Sequence, residues 1–274
     1  MNERAQGMVL SIIMPVYNEA TTIAASLSRL RAVPMSKQVV VVDDGSTDGT
    51  RLILERLRGE GMIDVLVVHE RNRGKGAAVR TGIGKAEGDV IVIQDADLEY
   101  DPFDLPRLIE PIADGRADAV FGSRFNGGAA RVLYFWHRVG NGALTLVSNM
   151  LTNINLTDME TCYKMVRADL MKAMPLRADR FGIEPEMTAR LAQARARIYE
   201  LPISYSGRTY EEGKKIGWRD GVAAIWHIFR ANLFAPRGWV AASGWLPSAR
   251  PIAEHPSSQG MPTASARHAF QIHR

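Results

Sequence analysis

At 274 residues, with 46% hydrophobic side chains, the chain is long enough for one large or two small domains and too apolar for general disorder. Its single cysteine, Cys162, excludes an intrachain disulfide and fits a reducing, cytoplasmic setting. The net charge of +4 is uneven: from Pro236 onward Arg237, Arg250, Arg267 and Arg274 face Glu254 alone, so +3 sits there, +1 is left for the rest, and a nucleic-acid-binding surface is disfavoured.

Met1 to Gly7 lack the apolar stretch of a signal peptide, and no apolar run is long enough to span a bilayer, so no transmembrane segment is expected. β-Branched runs at residues 9–14, 39–42, 65–68, 90–93 and 119–121 predict strands. Residues 20–31, 49–58, 75–86 and 104–113 between them carry helical periodicity. That alternation predicts an α/β fold with a mostly parallel central sheet and helices on both faces, binding its ligand at the carboxyl ends of the strands. Farther along, residues 131–152 read as a long helix, 161–166 as a strand, 184–194 as a helix, 197–205 as a strand and 218–234 as a helix. One domain over residues 1–235 results, with halves at about 8–125 and 126–235. The remainder, 236–274, is rich in Pro, Ser and Ala and is expected to be a disordered basic tail.

Polar motifs fall at the predicted strand ends. The first strand runs into Pro15-Val16-Tyr17-Asn18-Glu19, where a dinucleotide-binding fold would carry a glycine fingerprint; its absence argues against NAD or FAD. Tyr17 suits stacking on a nucleobase and Glu19 suits accepting from a sugar or base, although Asn18 and Glu19 would also serve simply to start a helix. The second strand ends in Asp43-Asp44-Gly45-Ser46-Thr47-Asp48-Gly49-Thr50. Here Asp44 is the candidate for a nucleobase NH or ribose hydroxyls, and Asp48 for a helix cap. Next, Asn72-Arg73-Gly74-Lys75-Gly76 opens a helix whose backbone NH groups, with Lys75, favour an anion. After the fourth strand comes Gln94-Asp95-Ala96-Asp97-Leu98-Glu99. In an extended chain alternate residues share a face, so Asp95, Asp97 and Glu99 would point toward one ion, and hard carboxylate oxygens suit Mg2+ or Mn2+.

In this order the motifs Pro-x-Tyr-Asn-Glu, Val-Asp-Asp-Gly-Ser-x-Asp-Gly-Thr, Asn-x-Gly-Lys-Gly and Asp-Ala-Asp-Leu-Glu-Tyr-x-Pro resemble those of the family-2 inverting glycosyltransferases, which have the Rossmann-like GT-A fold. With Gly122-Ser123-Arg124 added, the set looks most like dolichol-phosphate mannose synthases and other polyprenyl-phosphate glycosyltransferases. The resemblance implies that residues 8–125 form a nucleotide-sugar half and 126–235 an acceptor half. It further implies that Pro15, Tyr17, Glu19 and Asp44 hold the nucleoside, that Asp95, Asp97 and Glu99 hold the metal, and that Arg124 faces the diphosphate beside Lys75. Two aspartates next to a diphosphate repel it unless a divalent cation intervenes, at roughly 4 kcal/mol per charge pair at an effective dielectric near 20. Asp97 is therefore expected to matter to catalysis far more than to folding.

On the acceptor side, Asp158-Met159-Glu160-Thr161-Cys162-Tyr163 departs from the Asp-x-x-Ser-Gly-Phe of the mannose synthases. Asp158 and Glu160 are the candidate catalytic acids, as a base for a hydroxyl acceptor or as positioning groups for a lipid phosphate, which is already largely ionised at pH 7. Arg208, Lys214 and Lys215 lie where the family has a loop that closes over the phosphates. Aromatic and arginine-flanked segments at 131–138 and 226–234 suit a membrane interface. The expected activity is transfer of a hexose from GDP-mannose or UDP-glucose to a polyprenyl phosphate, by a protein peripheral to the inner face of the cytoplasmic membrane. The rivals are a hydroxyl-acceptor transferase and a non-catalytic nucleotide-sugar-binding protein.

Overall fold

The computed structural model describes residues 3–127, 131, 134–207, 218–234 and 238–245. A short helical turn, α1 (Glu3–Gln6), precedes a regular alternation: β1 (Leu10–Val16), α2 (Ile23–Ala32), β2 (Lys37–Asp43), α3 (Thr50–Gly59), β3 (Val65–Val68), α4 (Lys75–Ile83) and β4 (Val90–Ile93). Then follow the short helices α5 (Leu105–Leu108) and α6 (Glu110–Ala113), β5 (Ala119–Ser123), α7 (Phe135–Thr152), β6 (Lys164–Arg167), α8 (Ala168–Ala173), α9 (Ile183–Gln193), β7 (Ile198–Pro202), α10 (Trp218–Phe229) and α11 (Trp239–Ser243).

The strands form one 7-stranded sheet in the order β3-β2-β1-β4-β6-β5-β7. Neighbours among β3, β2, β1 and β4 are parallel, as are β5 and β7, while β6 runs antiparallel to both β4 and β5. Consecutive residues Val39 to Val42, and likewise Val90 to Ile93, are buried, so both faces of the sheet are covered. Strand order turns back at β1, with β2 on one side and β4 on the other, which opens a crevice at their carboxyl ends. Pro15 is tolerated in β1 because β4 pairs with β1 only as far as Ile13, leaving no ladder partner on that side that would need a proline NH.

Several boundaries differ from expectation for identifiable reasons. Residues 104–113 do not form one helix, because Pro106 and Pro111 lack the NH an interior turn needs; each sits at the start of its own short helix. The long helix begins at Phe135 rather than residue 131, and residues 161–163 are a loop ahead of β6. Helix α10 passes into a π-helical turn over Arg230–Phe234. Beyond Pro236, where a disordered tail was expected, α11 docks: Trp239 and Trp245 are buried, and Trp239 Nε1 donates to Gln193 Oε1 at 3.1 Å.

Candidate active site

The β1 and β2 ends are laced together. Asn18 takes a left-handed φ of 53°, its Oδ1 accepts from Thr47 N at 2.8 Å, and its own NH donates to Ser46 Oγ at 3.0 Å. Asp48, expected as the cap of α3, lies one residue before its N-cap Gly49 and accepts from Thr50 N at 3.1 Å. Tyr17 stands 39% exposed at this rim, which leaves its ring accessible for stacking. The Glu19 carboxylate accepts from Thr22 Oγ1 at 2.8 Å just ahead of α2.

Asp44 is built inward. Its carboxylate accepts from Arg73 N at 3.0 Å and Gly74 N at 2.7 Å, and meets His69 Nδ1 at 2.7 Å. The anion held by the NH groups of Arg73 and Gly74, just ahead of α4, is thus the protein's own carboxylate. Gly45 makes the approach possible: at φ +74° a Cβ there would lie 2.6 Å from the Arg71 backbone. At Gly74, φ +96°, a Cβ would strike Asp179 O at 2.3 Å, and Ala77 N donates to that same oxygen. Residues 178–179 therefore pack against the helix start and take the Ala77 NH.

Lys75 is also engaged within the protein. Its Nζ lies 2.9 Å from Asp95 Oδ1, 2.9 Å from Glu184 Oε1 and 3.6 Å from Cys162 Sγ. Burial lowers the lysine's affinity for its proton, but Asp95, Cys162 and Glu184 outweigh it and hold the ammonium well above its ordinary range. Burial drives the Cys162 thiol up, in keeping with a structural cysteine.

The three acids after β4 do not form a ligand cage. The strand ends at Ile93, Leu98 turns left-handed at φ 66°, and among the described residues no three Asp, Glu, His or Cys side chains gather as a metal-binding group. The extended geometry that would align Asp95, Asp97 and Glu99 is lost at that turn. Asp97 Oδ1 accepts from Glu99 N at 3.2 Å, while Glu99 Oε2 accepts from Tyr205 Oη at 2.8 Å and so faces the acceptor half. Asp95 and Asp97 remain partly exposed at the sheet mouth.

Arg124, at the end of β5, is clamped to Asp158. Nε and Nη2 reach the two carboxylate oxygens at 2.7 and 2.8 Å, and the Arg124 backbone NH adds a third bond at 3.1 Å. Asp158 is fully buried, so as a base it would need to abandon that pair. Glu200 on β7 fixes the same loop, accepting from Thr157 N and Asp158 N. Buried Lys164 fixes it from below by donating to Met159 O and Thr161 O at 2.7 and 2.6 Å. The guanidinium of Arg124 lies 5.3 Å from the Tyr205 ring centroid.

Glu160 is different. Its Oε1 is buried without a hydrogen-bond partner, and burial followed by the nearby Glu184 charge pushes its carboxyl from 4.5 to about 7. Between those values the folded protein keeps a proton that the unfolded chain has released, so stability falls as pH climbs through that window. Glu160→Gln is therefore expected to stabilise the protein at pH 8 by on the order of 3 kcal/mol, seen as a higher melting temperature, and to change it little near pH 4.5. Melting curves at the two pH values check this; an equal shift at both would refute it.

Arg208, Lys214 and Lys215 lie outside the described residues. Glu184 and Glu200 were missed by sequence reasoning: each reaches the site from an element far along the chain, and the only local signal was the acid pair Glu184 and Glu186 in the first turn of α9.

The comparisons with known proteins agree with this architecture. Residues 11–174 match the model of Glycosyl transferase family 2. An undecaprenyl-phosphate mannosyltransferase of Micrococcus luteus is 36% identical over 82% of this chain and 98% of its own length. A dodecaprenyl-phosphate galacturonate synthase of Rhizobium johnstonii is 27% identical over 78% of this chain, which spans 63% of that relative. Among solved structures, glucosyl-3-phosphoglycerate synthase from Mycobacterium tuberculosis, in complex with Mn2+ and UDP-glucose, superposes with a TM-score of 0.65 at 18% identity, covering 85% of this chain and 82% of that one. At that identity the likeness establishes the fold, which is GT-A-like. A seven-stranded mixed sheet of this order, with Asp95, Asp97 and Arg124 at its carboxyl edge, and a family model matching more than half the chain place the protein in glycosyl transferase family 2 as a glycosyltransferase.

Proposed function

We propose that the enzyme transfers a hexose, with inversion, from a nucleotide diphosphate sugar such as GDP-mannose or UDP-glucose to a polyprenyl phosphate at the inner face of the cytoplasmic membrane. The observation that carries the acceptor assignment is the locked Arg124–Asp158 pair, which removes the first candidate base from the acceptor side. A phosphate monoester needs no such base, since its second ionisation is half complete at about pH 6. The mannosyltransferase relative, matched over nearly its whole length, supports the same reading.

In this reading the nucleoside lies across the β1 and β2 ends, with Tyr17 beside it and Asp44 shaping the loop beneath. A phosphate oxygen of the acceptor attacks the anomeric carbon while the bond to the diphosphate breaks on the opposite face. Arg124, oriented by Asp158, presents positive charge to the phosphates. Asp95 and Asp97 are the groups suited to a divalent ion: Mg2+-type sites use one or two carboxylates and leave the other positions to substrate phosphates, so a three-acid cage is not required. When bound, Mg2+ or Mn2+ would neutralise charge on the departing diphosphate.

Exposed apolar side chains favour peripheral docking. Phe135, Trp136, Leu146 and Met150 protrude from α7, and Trp226, Phe229, Leu233 and Phe234 from α10 and the turn after it. Among the described residues no helix is long and apolar enough to cross a membrane.

The direct test incubates the protein with labelled GDP-mannose or UDP-glucose and a polyprenyl phosphate, with an organic-extractable glycolipid as the expected product. Absence of such a product across a donor panel would sink the proposal. Glu160 sustains the hydroxyl-acceptor alternative, because a carboxyl titrating near neutrality suits a general base. The two readings separate on Glu160→Gln: retained transfer is expected for a phosphate acceptor, and a loss of about 10²–10⁴ for a hydroxyl.

A further inference from the structure

A cavity of about 120 Å³ lies between the segment before α9, α9 itself and the end of α10, lined in part by Arg177, Glu186, Arg190, His227, Arg230 and Phe234. It has room for a hydrated polar group. Its charge is unbalanced. Three guanidinium groups face one carboxylate, and that carboxylate is already occupied: Glu186 Oε2 accepts from Arg177 N and Ala178 N at 2.8 and 2.7 Å, while Oε1 stands 3.7 Å from Arg190 Nη2. Arg190 is buried and held in place, with Nη1 donating to Gln193 Oε1 at 3.0 Å. Gly182 lets the His227 ring pack close, since a Cβ there would sit 2.3 Å from it.

The rim of the cavity is apolar and solvent-facing. Phe234, itself part of the lining, is 72% exposed, and Leu233 and Phe229 beside it are also exposed. A net positive recess bordered by protruding apolar side chains matches the headgroup boundary of a membrane, where an anionic phosphate and the upper acyl chains present the complementary pattern.

We propose that this recess is a docking site for the phosphate of an anionic phospholipid, distinct from the sites for the sugar donor and the acceptor phosphate. Burial, reinforced by Arg177 and only partly offset by Glu186, lowers the proton affinity of Arg190, and burial together with Arg230 does the same to His227. A bound phosphate would relieve both. The inference rests on the membrane-facing reading given above, but its test does not depend on sugar transfer.

Co-sedimentation with phosphatidylcholine vesicles, with and without phosphatidylglycerol, provides that test. The intact protein is expected to bind the mixed vesicles and to bind phosphatidylcholine alone weakly. Arg177 and Arg230 are exposed, so Arg177→Gln/Arg230→Gln should fold, and its partitioning onto mixed vesicles should fall by roughly twenty-five-fold, about fivefold for each arginine. Arg51→Gln/Arg56→Gln, which removes the same charge from the exposed face of α3, should lose far less. Equal losses in the two double variants, or none in the first, would overturn the proposal. Arg230→Gln alone, at about fivefold, keeps the test decisive if melting shows the double variant to be unstable. Titration with inorganic phosphate addresses the other source of the same chemistry: saturable binding that vesicles do not displace would mark a free-anion site and refute the lipid assignment. Transfer to a short, water-soluble polyprenyl phosphate analogue should be unaltered by the arginine substitutions, so failure of the docking idea and failure of the catalytic reading give different results.

Discussion

Asp97→Asn is expected to lower kcat/KM by about 10³ or more, with stability within roughly 0.5 kcal/mol of the parent. The charge balance at the sheet mouth is the reason. Lys75 is shared between Asp95 and Glu184, so its ammonium is opposed by two carboxylates before Asp97 is counted. A diphosphate entering beside these carboxylates meets their negative charge, at a cost of roughly 4 kcal/mol for each close pair at an effective dielectric near 20. A divalent cation held by Asp97 would reverse the sign of that interaction. Asp97 Oδ1 accepts a local bond from Glu99 N, which an asparagine oxygen would also accept. Steady-state kinetics across a Mn2+ series, beside a melting curve, check both halves of the expectation. A variant as active as the parent at saturating Mn2+ would remove Asp97 from the metal site. One that loses activity only by unfolding would make it structural.

The frame of this site was legible in the sequence because it depends on short-range pattern. Strand residues Val39 to Val42 and Val90 to Ile93 read as continuous apolar runs, and a parallel sheet buried on both faces requires that pattern. The placement of Asp44, Asp95 and Arg124 at strand ends followed. Side-chain partners were less accessible, since they depend on residues distant along the chain. The NH groups of Arg73 and Gly74 reach Asp44 across about thirty positions, and Glu184 finds Lys75 from a helix in the other half. Residue type at Lys75 pointed to an anion, while the two acids it bridges, Asp95 and Glu184, could not be read from its neighbours along the chain. Likewise the extended alternation assumed for Asp95, Asp97 and Glu99 depends on strand geometry that stops at Ile93, and nothing in residue identity marks Leu98 as left-handed. Where proline set the local chemistry, as at Pro106 and Pro111, the break in the helix was available from the sequence and periodicity alone obscured it.

Asp158 gives the second large effect, and here stability carries it. Asp158→Asn leaves the buried Arg124 guanidinium opposite one amide oxygen and one NH2, where two carboxylate oxygens now take its Nε, Nη2 and backbone NH. Breaking one side of such a pair typically costs 3–5 kcal/mol, which for a chain of this size is a fall of roughly 6–20 °C in melting temperature. Activity should fall as well, because Arg124 loses the partner that aims it. A catalytic base would behave otherwise: its loss would reduce kcat by about 10²–10⁴ and leave melting nearly unchanged. Combining Asp158→Asn with Arg124→Gln sharpens the distinction. If the carboxylate acts by holding the arginine, the double variant should be destabilised by less than the sum of the single variants, since neither partner is then left as a lone buried charge. Additive losses in stability, or an Asp158→Asn protein that melts like the parent yet fails in turnover, would return Asp158 to the role of base and with it the hydroxyl acceptor. The expected non-additivity instead makes Asp158 a positioning residue and leaves the ionised acceptor phosphate as its own nucleophile.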